Sequence, residues 1–336
     1  MVGHALVASC LLFGFAAALM LRDTETSADM RWGVVLGVTA GWATVTEYQA
    51  APASAILAVF AIARVWSSGW PRRFRVAVAI AAGALPGVAT QMLYLHFAVG
   101  SALHPSYSNV VGPFPWVSHG YFGLKYPRVD VVFKLLFGLK RGIFVLAPVT
   151  ILAPFGLRLL QRRPATRLAG FTAAAIFLYY LLLNASYAEW TAGLSYGPRI
   201  MGAGIPALCI GLAPAWDYFH PPVRRLMLAL LAISVLFSLM AVSTTPQPPF
   251  DANYPITQVF WPSFWSGHLA LEHISMLAPS DVGAGGSHGA FNLGQLMGLH
   301  GLASLVPLLV IWVMAAVVWI GIKARYRSGL QTDAQT

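Results

Sequence analysis

The sequence predicts an all-α, polytopic membrane protein with about nine transmembrane helices. Three observations lead there. Of the 336 residues, 58% are hydrophobic and 10% are charged, whereas soluble domains carry about a quarter charged residues. The apolar residues come in runs near the length that crosses a bilayer, about 17 to 25 residues. The basic residues gather in short clusters between alternate runs, the pattern that orients helices in a membrane. The net charge of +10 is spread over those clusters, so it argues against a nucleic-acid partner. The two cysteines, Cys10 and Cys209, sit inside apolar runs, and neither a disulfide nor a thiolate metal site is expected.

The candidate spans are about 3–21, 32–46, 51–64, 76–98, 142–158, 168–184, 199–215, 226–242 and 300–322. The second and third are short and meet at Thr46-Glu47-Tyr48-Gln49. They read either as two short spans or as one broken, re-entrant pair, which is tolerated only against protein or a water-filled cavity. Residues 256–276 mix aromatics with polar groups, the composition of an interfacial segment. The chain 1–336 reads as one transmembrane domain.

The basic clusters are Arg22 with Arg31; Arg64, Arg72, Arg73 and Arg75; Arg158, Arg162, Arg163 and Arg167; Arg224 and Arg225; and Lys323, Arg325 and Arg327. The positive-inside rule makes them cytoplasmic. The connections at about 47–50, 99–141, 185–198 and 243–299 are then external, and the C-terminus is cytoplasmic. Abundant Ala, Gly and Arg with few Lys is a composition associated with high-GC bacteria, so the expected location is the bacterial inner (plasma) membrane.

Acidic residues are scarce, and two occur in tight connections between apolar runs: Glu47 and Glu189. An ionisable group near hydrocarbon is costly and marks a functional candidate. Glu189 lies in the polar stretch 184–199, with Tyr187, Trp190, Tyr196 and Arg199. Arg199 follows Gly197-Pro198 and opens a helix, where free amides and the helix dipole favour an anion. Lys140 and Arg141 also open a membrane helix on the external side, against the charge trend, which suggests an anionic partner such as a lipid phosphate. The set His268, Glu272 and His273 has no trusted metal-ligand spacing.

The stretch 184–199 resembles the Asn-x-Ser-Tyr-x-x-Trp-x-Gly-Gly-x-x-Tyr-Gly-Pro-Arg segment of bacterial multi-pass membrane glycosyltransferase-like proteins of the GT-C type. Residues 140–148 are similar to their Arg-Arg-Gly-Leu-Phe-x-x-x-Pro helix start, 33–49 to a middle pair of short helices, and 292–309 to their closing helix. The resemblance implies transfer of a sugar from a polyprenyl-phosphate donor to an acceptor on the external face. It implies Glu189 and Glu47 as catalytic candidates, Arg199, Lys140 and Arg141 holding phosphate, and Trp190, Tyr196 and Tyr187 bounding the sugar. The cofactor is left open, a divalent metal being compatible with the chemistry. The family carries its catalytic acid in a first external loop near the N-terminus, and Met1 falls several helices after that point. The expectation is therefore half a site, the sugar and phosphate half. The rival readings are a lipid or sugar transporter or flippase, and a non-catalytic membrane subunit that binds lipid or a partner.

Overall fold

A helix in lipid must satisfy its own backbone, and in lipid it gains little hydrophobic drive to pack on its neighbours. Close approach of small residues has to supply that packing, and this chain places them where helices meet. The computed structural model describes residues 2–21, 28–103, 123–193, 195–245, 247–249, 251–269 and 292–333. The described residues are mostly helical, with no strand among them, and six helical segments are long and apolar enough to cross a membrane. They are Gly3–Met20, Trp70–Val99, Arg167–Ser186, Ile200–Tyr218, Pro221–Thr244 and Gly301–Ile322. The chain divides into two compact units, Met1–Leu236 and Phe237–Thr336.

The first unit opens with α1 (Val2–Met20), α2 (Asp29–Thr46), α3 (Ala51–Arg64) and α4 (Trp70–Val99). Glycines 33, 37 and 41 repeat every four residues, so they share one face of α2. That face lies directly on α4. A Cβ at Gly37 would stand 2.1 Å from the Ile80 carbonyl oxygen, and one at Gly83 would stand 2.3 Å from that of Val34. This is the small-residue crossing that holds membrane helices together.

The short pair at 32–46 and 51–64 forms two antiparallel helices, the arrangement shared by two short spans and by a re-entrant pair. The chain breaks at Glu47, in extended conformation (φ −149°, ψ 117°), and turns through 3-10 geometry at Tyr48–Ala50. At the other end of the pair, Arg64 donates to the carbonyls of Leu19 and Leu21 at the close of α1. α2, with 18 residues, runs nearly the length of α1 with its 19, about 27 Å against 28 Å, and α3, with 14, reaches about 21 Å. At the same end as Arg64, Arg72 grips Asp29 bidentately, Nε to Oδ2 at 2.7 Å and Nη2 to Oδ1 at 2.9 Å, with both side chains buried. Residues 21, 29, 64 and 72 thus gather at one end of this bundle and Glu47 at the other, the grouping that the charge pattern predicts.

After α5 (Val129–Phe137), the expected helix over 142–158 is not continuous. It divides into α6 (Ile143–Leu146), a 3-10 turn (Pro148–Leu152) and α7 (Ala153–Arg162). Pro148 lacks an amide and restricts the residue before it; Ala147 sits at φ −137°, ψ 73°. α8 (Arg167–Ser186) follows as a full-length span. The run after it is regular in direction but not in pitch: a 3-10 turn (Ile200–Gly204), α9 (Ile205–Cys209) and α10 (Leu212–Tyr218). Gly156 and Gly211 let α7 pack on this segment, since a Cβ at Gly156 would meet the Gly211 carbonyl oxygen at 1.7 Å. The unit boundary falls within α11 (Pro221–Thr244).

The second unit carries a π-helical turn (Ile256–Phe260) running into α12 (Trp261–Trp265), whose two tryptophans meet edge to face at 5.6 Å. This is the described part of the expected interfacial segment. Asn292 and Gln295 form a reciprocal capping box for α13 (Leu293–Leu296). A 3-10 turn (Gly301–Leu305) then leads into α14 (Val306–Asp333). In the loop expected over 99–141, residues 104–122 lie outside the described residues, as do Glu272 and His273. His268 is described, its Nδ1 2.8 Å from the Ser266 hydroxyl.

Candidate functional site

The polar stretch between α8 and the 3-10 turn at Ile200–Gly204 is a folded loop pinned at both ends by one side chain. Asn184, in the last turn of α8, is fully buried. Its Nδ2 donates to the Trp190 carbonyl at 2.7 Å, and its Oδ1 accepts from the Met201 amide at 3.2 Å. A buried amide must be satisfied on both sides, so the loop's departure and return are fixed together. The loop turns where its backbone enters the left-handed region, at Ala192 (φ 54°), Gly193 (φ 79°) and Gly197 (φ 73°). Ala192 carries a Cβ there and is strained.

Arg141 fills the inside of this loop. It is 2% exposed. Its Nη1 donates to the Ser195 hydroxyl and the Gly197 carbonyl, each at 3.0 Å, and its Nη2 donates to the Gly193 carbonyl. Burial pushes the guanidinium down from 12.5 to about 10, while the charge of Glu189 acts in the opposite sense and favours the cation. At neutral pH it stays charged. Tyr196 completes the brace from the other side, donating to the Leu146 carbonyl at 3.0 Å. That carbonyl closes α6 just before the Ala147 break.

Of the residues that the sequence marks, Arg141, Glu189, Trp190 and Tyr196 come together here. Glu189 is half-buried, accepts from the Thr191 hydroxyl and lies within electrostatic reach of Arg141. Trp190 packs against the core, with the Lys134 ammonium 5.8 Å from its ring centroid. Arg199 is exposed at the far end of the loop, and no ion pair joins it to Glu189 among the described residues. Lys140 is half-buried beside Arg141 in sequence.

Glu47 and Tyr187 belong to a second polar cluster in the same unit. The Glu47 carboxylate sits 2.8 Å from His4 Nδ1 and accepts from Gln49 Nε2 at 2.9 Å. Gln49 links Glu47 to Tyr187, because its Oε1 accepts from the Tyr187 hydroxyl at 3.2 Å and its carbonyl accepts from Tyr179. Sequence reasoning missed His4, Gln49, Asn184 and Ser195 as participants. His4 and Asn184 had a signal, as lone polar groups inside apolar runs; Ser195 had none. No three His, Cys, Asp or Glu converge as a metal site among the described residues.

Beside the loop, Asp130 opens α5 and takes hydrogen bonds from Arg128 (2.8 and 3.2 Å) and Lys134 (3.0 Å). The bonds from Arg128, then from Lys134, lower its carboxyl from 3.8 to about 2. A depressed carboxylate contributes stability above its unfolded value and loses it as pH falls through about 2. The pair is half exposed, so that contribution is small. In a carboxyl titration followed by infrared or NMR, Asp130 is expected to titrate near 2, and Arg128→Gln should move it back toward 3.8. A midpoint already at 3.8 in the unmodified protein contradicts the geometry.

Compared with known protein families, with curated proteins and with solved structures, the chain matches none.

Proposed function

We propose that the chain is a GT-C-like membrane glycosyltransferase, or the C-terminal part of one, which takes a sugar from a polyprenyl-phosphate donor to an acceptor on the external face. In this reading it lies in the bacterial inner membrane with about nine spans, six of the length shown above. Its C-terminus is cytoplasmic. The observation that supports the reading is the braced loop at one end of the bundle. It sets a carboxylate (Glu189) and two aromatics (Trp190, Tyr196) within one short connection that folds around a buried cation (Arg141).

Glycosyl transfer requires a carboxylate to accept the acceptor's proton and a cation to meet the charge that develops on the leaving phosphate. Glu189 is the candidate for the first role. Arg199 and Lys140 are the candidates for the second, because Arg141 directs three donor contacts into the loop itself. Arg141 then acts as a positioning residue that holds Trp190 and Tyr196 in place.

A second reading, transport of a lipid or sugar, is favoured by one feature: the interruption at Glu47, where an ionisable pair with His4 sits between two helices. The two readings separate in one assay. Membranes containing the protein are supplied with a labelled polyprenyl-phosphate sugar. Transfer to an acceptor is expected, and Glu189→Gln or Arg199→Ala should lower it on the order of a hundredfold. Full turnover in both variants removes this site; movement of label across the bilayer without transfer favours transport.

A further inference from the structure

At the opposite end of the first unit from Glu47, α3 and α4 leave a groove between them. Its volume is about 510 Å³, and it is lined only by apolar side chains, mostly alanines, with Val59, Ile62, Ile80 and Trp66. Val59 and Trp66 are 69% and 60% exposed, so the groove opens outward along the apolar face of the bundle. The turn through Gly69 (φ 85°) sets the two helices side by side.

The groove ends at a cation. The Arg73 guanidinium carbon lies 4.1 Å from the centroid of the Trp66 ring. The Arg73 Nε is shielded from solvent and has no hydrogen-bond partner. Its neighbours do not neutralise it. Arg64 is committed to the carbonyls of α1, Arg72 to Asp29, and Arg75 is a further exposed cation. One end of the apolar channel thus carries a surplus of positive charge, beside a tryptophan of the kind that marks a membrane interface.

We propose that the α3–α4 groove is a binding site for an anionic phospholipid of the bilayer, with one acyl chain lying along the alanines and the phosphate received by Arg73 beside Trp66. An acyl chain fits because the walls offer no polar group to a sugar or a peptide. The charge selects an anionic headgroup over a zwitterionic one. The site is independent of the loop at 184–199.

The test uses the full chain, purified in mild detergent and exposed to mixed vesicles of phosphatidylglycerol and phosphatidylcholine. Retained lipid is counted by native mass spectrometry. Phosphatidylglycerol should be retained about fivefold over phosphatidylcholine for the one cation that meets it. Arg73→Gln should remove that preference while leaving the thermal unfolding temperature unchanged. Ala81→Trp, which fills the groove from an exposed position, should displace both lipids. Equal retention of the two lipids, a preference that survives Arg73→Gln, or a protein dimer in place of bound lipid would each overturn the proposal.

Discussion

Gly37→Leu is expected to yield protein that no longer elutes as a folded species from detergent extracts. The three atoms nearest a Cβ at this position are the Ile80 carbonyl oxygen at 2.1 Å, the Ala84 amide nitrogen at 2.9 Å and the Gly83 Cα at 2.9 Å. All belong to the α4 backbone, so no side chain can swing aside. Overpacking that side chains can absorb costs about 1–3 kcal/mol. Here the whole helix must move, and Gly33, Gly41, Gly83 and Gly87 lose their contacts with it. The loss should exceed about 3 kcal/mol, a large share of the 5–15 kcal/mol that holds an ordinary domain together. Gly202→Ala is the control, because nothing lies within 4 Å of its Cβ position; it should stay within about 0.5 kcal/mol of the parent. Native elution and an unchanged melting temperature for Gly37→Leu would refute the described α2–α4 crossing.

Arg141→Met should release the loop at 184–199 while leaving the helices assembled. Methionine keeps much of the stem's volume and removes every donor. The Ser195 hydroxyl and the carbonyls of Gly193 and Gly197 then lose their partner. Hydrogen bonds to a charged group contribute about 1.5–3 kcal/mol each and do not add fully. Removing the buried cation returns part of this, since its desolvation is itself unfavourable. The net local loss should be about 3 kcal/mol. Hydrogen exchange within 187–199 should accelerate by about a hundredfold, with α1–α4 unaffected. Arg141→Lys should fall between, because one ammonium cannot span three acceptors placed for a planar fork. If the loop builds the proposed sugar site, transfer should drop by about a hundredfold in Arg141→Met, as expected for displaced positioning groups. Unchanged exchange in the loop would show that Arg141 does not hold it.

The class of the fold was legible because hydropathy and charge position act through the solvent, which is the same all along a membrane segment. The grouping of residues 21, 29, 64 and 72 at one end follows directly from the basic clusters. What was illegible depends on contacts between distant residues. Gly33, Gly37 and Gly41 depress the apolar signal of α2, and their value appears only when Gly83 and Gly87 are seen against them. The break in 142–158 had a local sign in Pro148, which the apolar composition around it outweighed. Arg141 read as a cation free to hold phosphate, because no local feature shows that Gly193, Ser195 and Gly197 curl back around it. Glu47 was singled out by its cost near hydrocarbon, but its partner His4 is 43 residues earlier and lay in an apolar run with no motif.

Three ties in the first four helices share one chain separation. Arg64 to the Leu21 carbonyl, Arg72 to Asp29 and Gln91 to Tyr48 each join residues 43 positions apart. Each earlier partner therefore leaves the ribosome well before the later one exists. At synthesis rates of about 5–20 residues per second, the gap is about 2–9 s. For that interval α1 ends in carbonyls with no donor, and Asp29 waits at the start of α2 without its guanidinium. Until the later partners arrive, water or lipid headgroups have to satisfy those helix-end groups. Slowing elongation between residues 29 and 72 lengthens the exposure without changing a single contact of the finished protein.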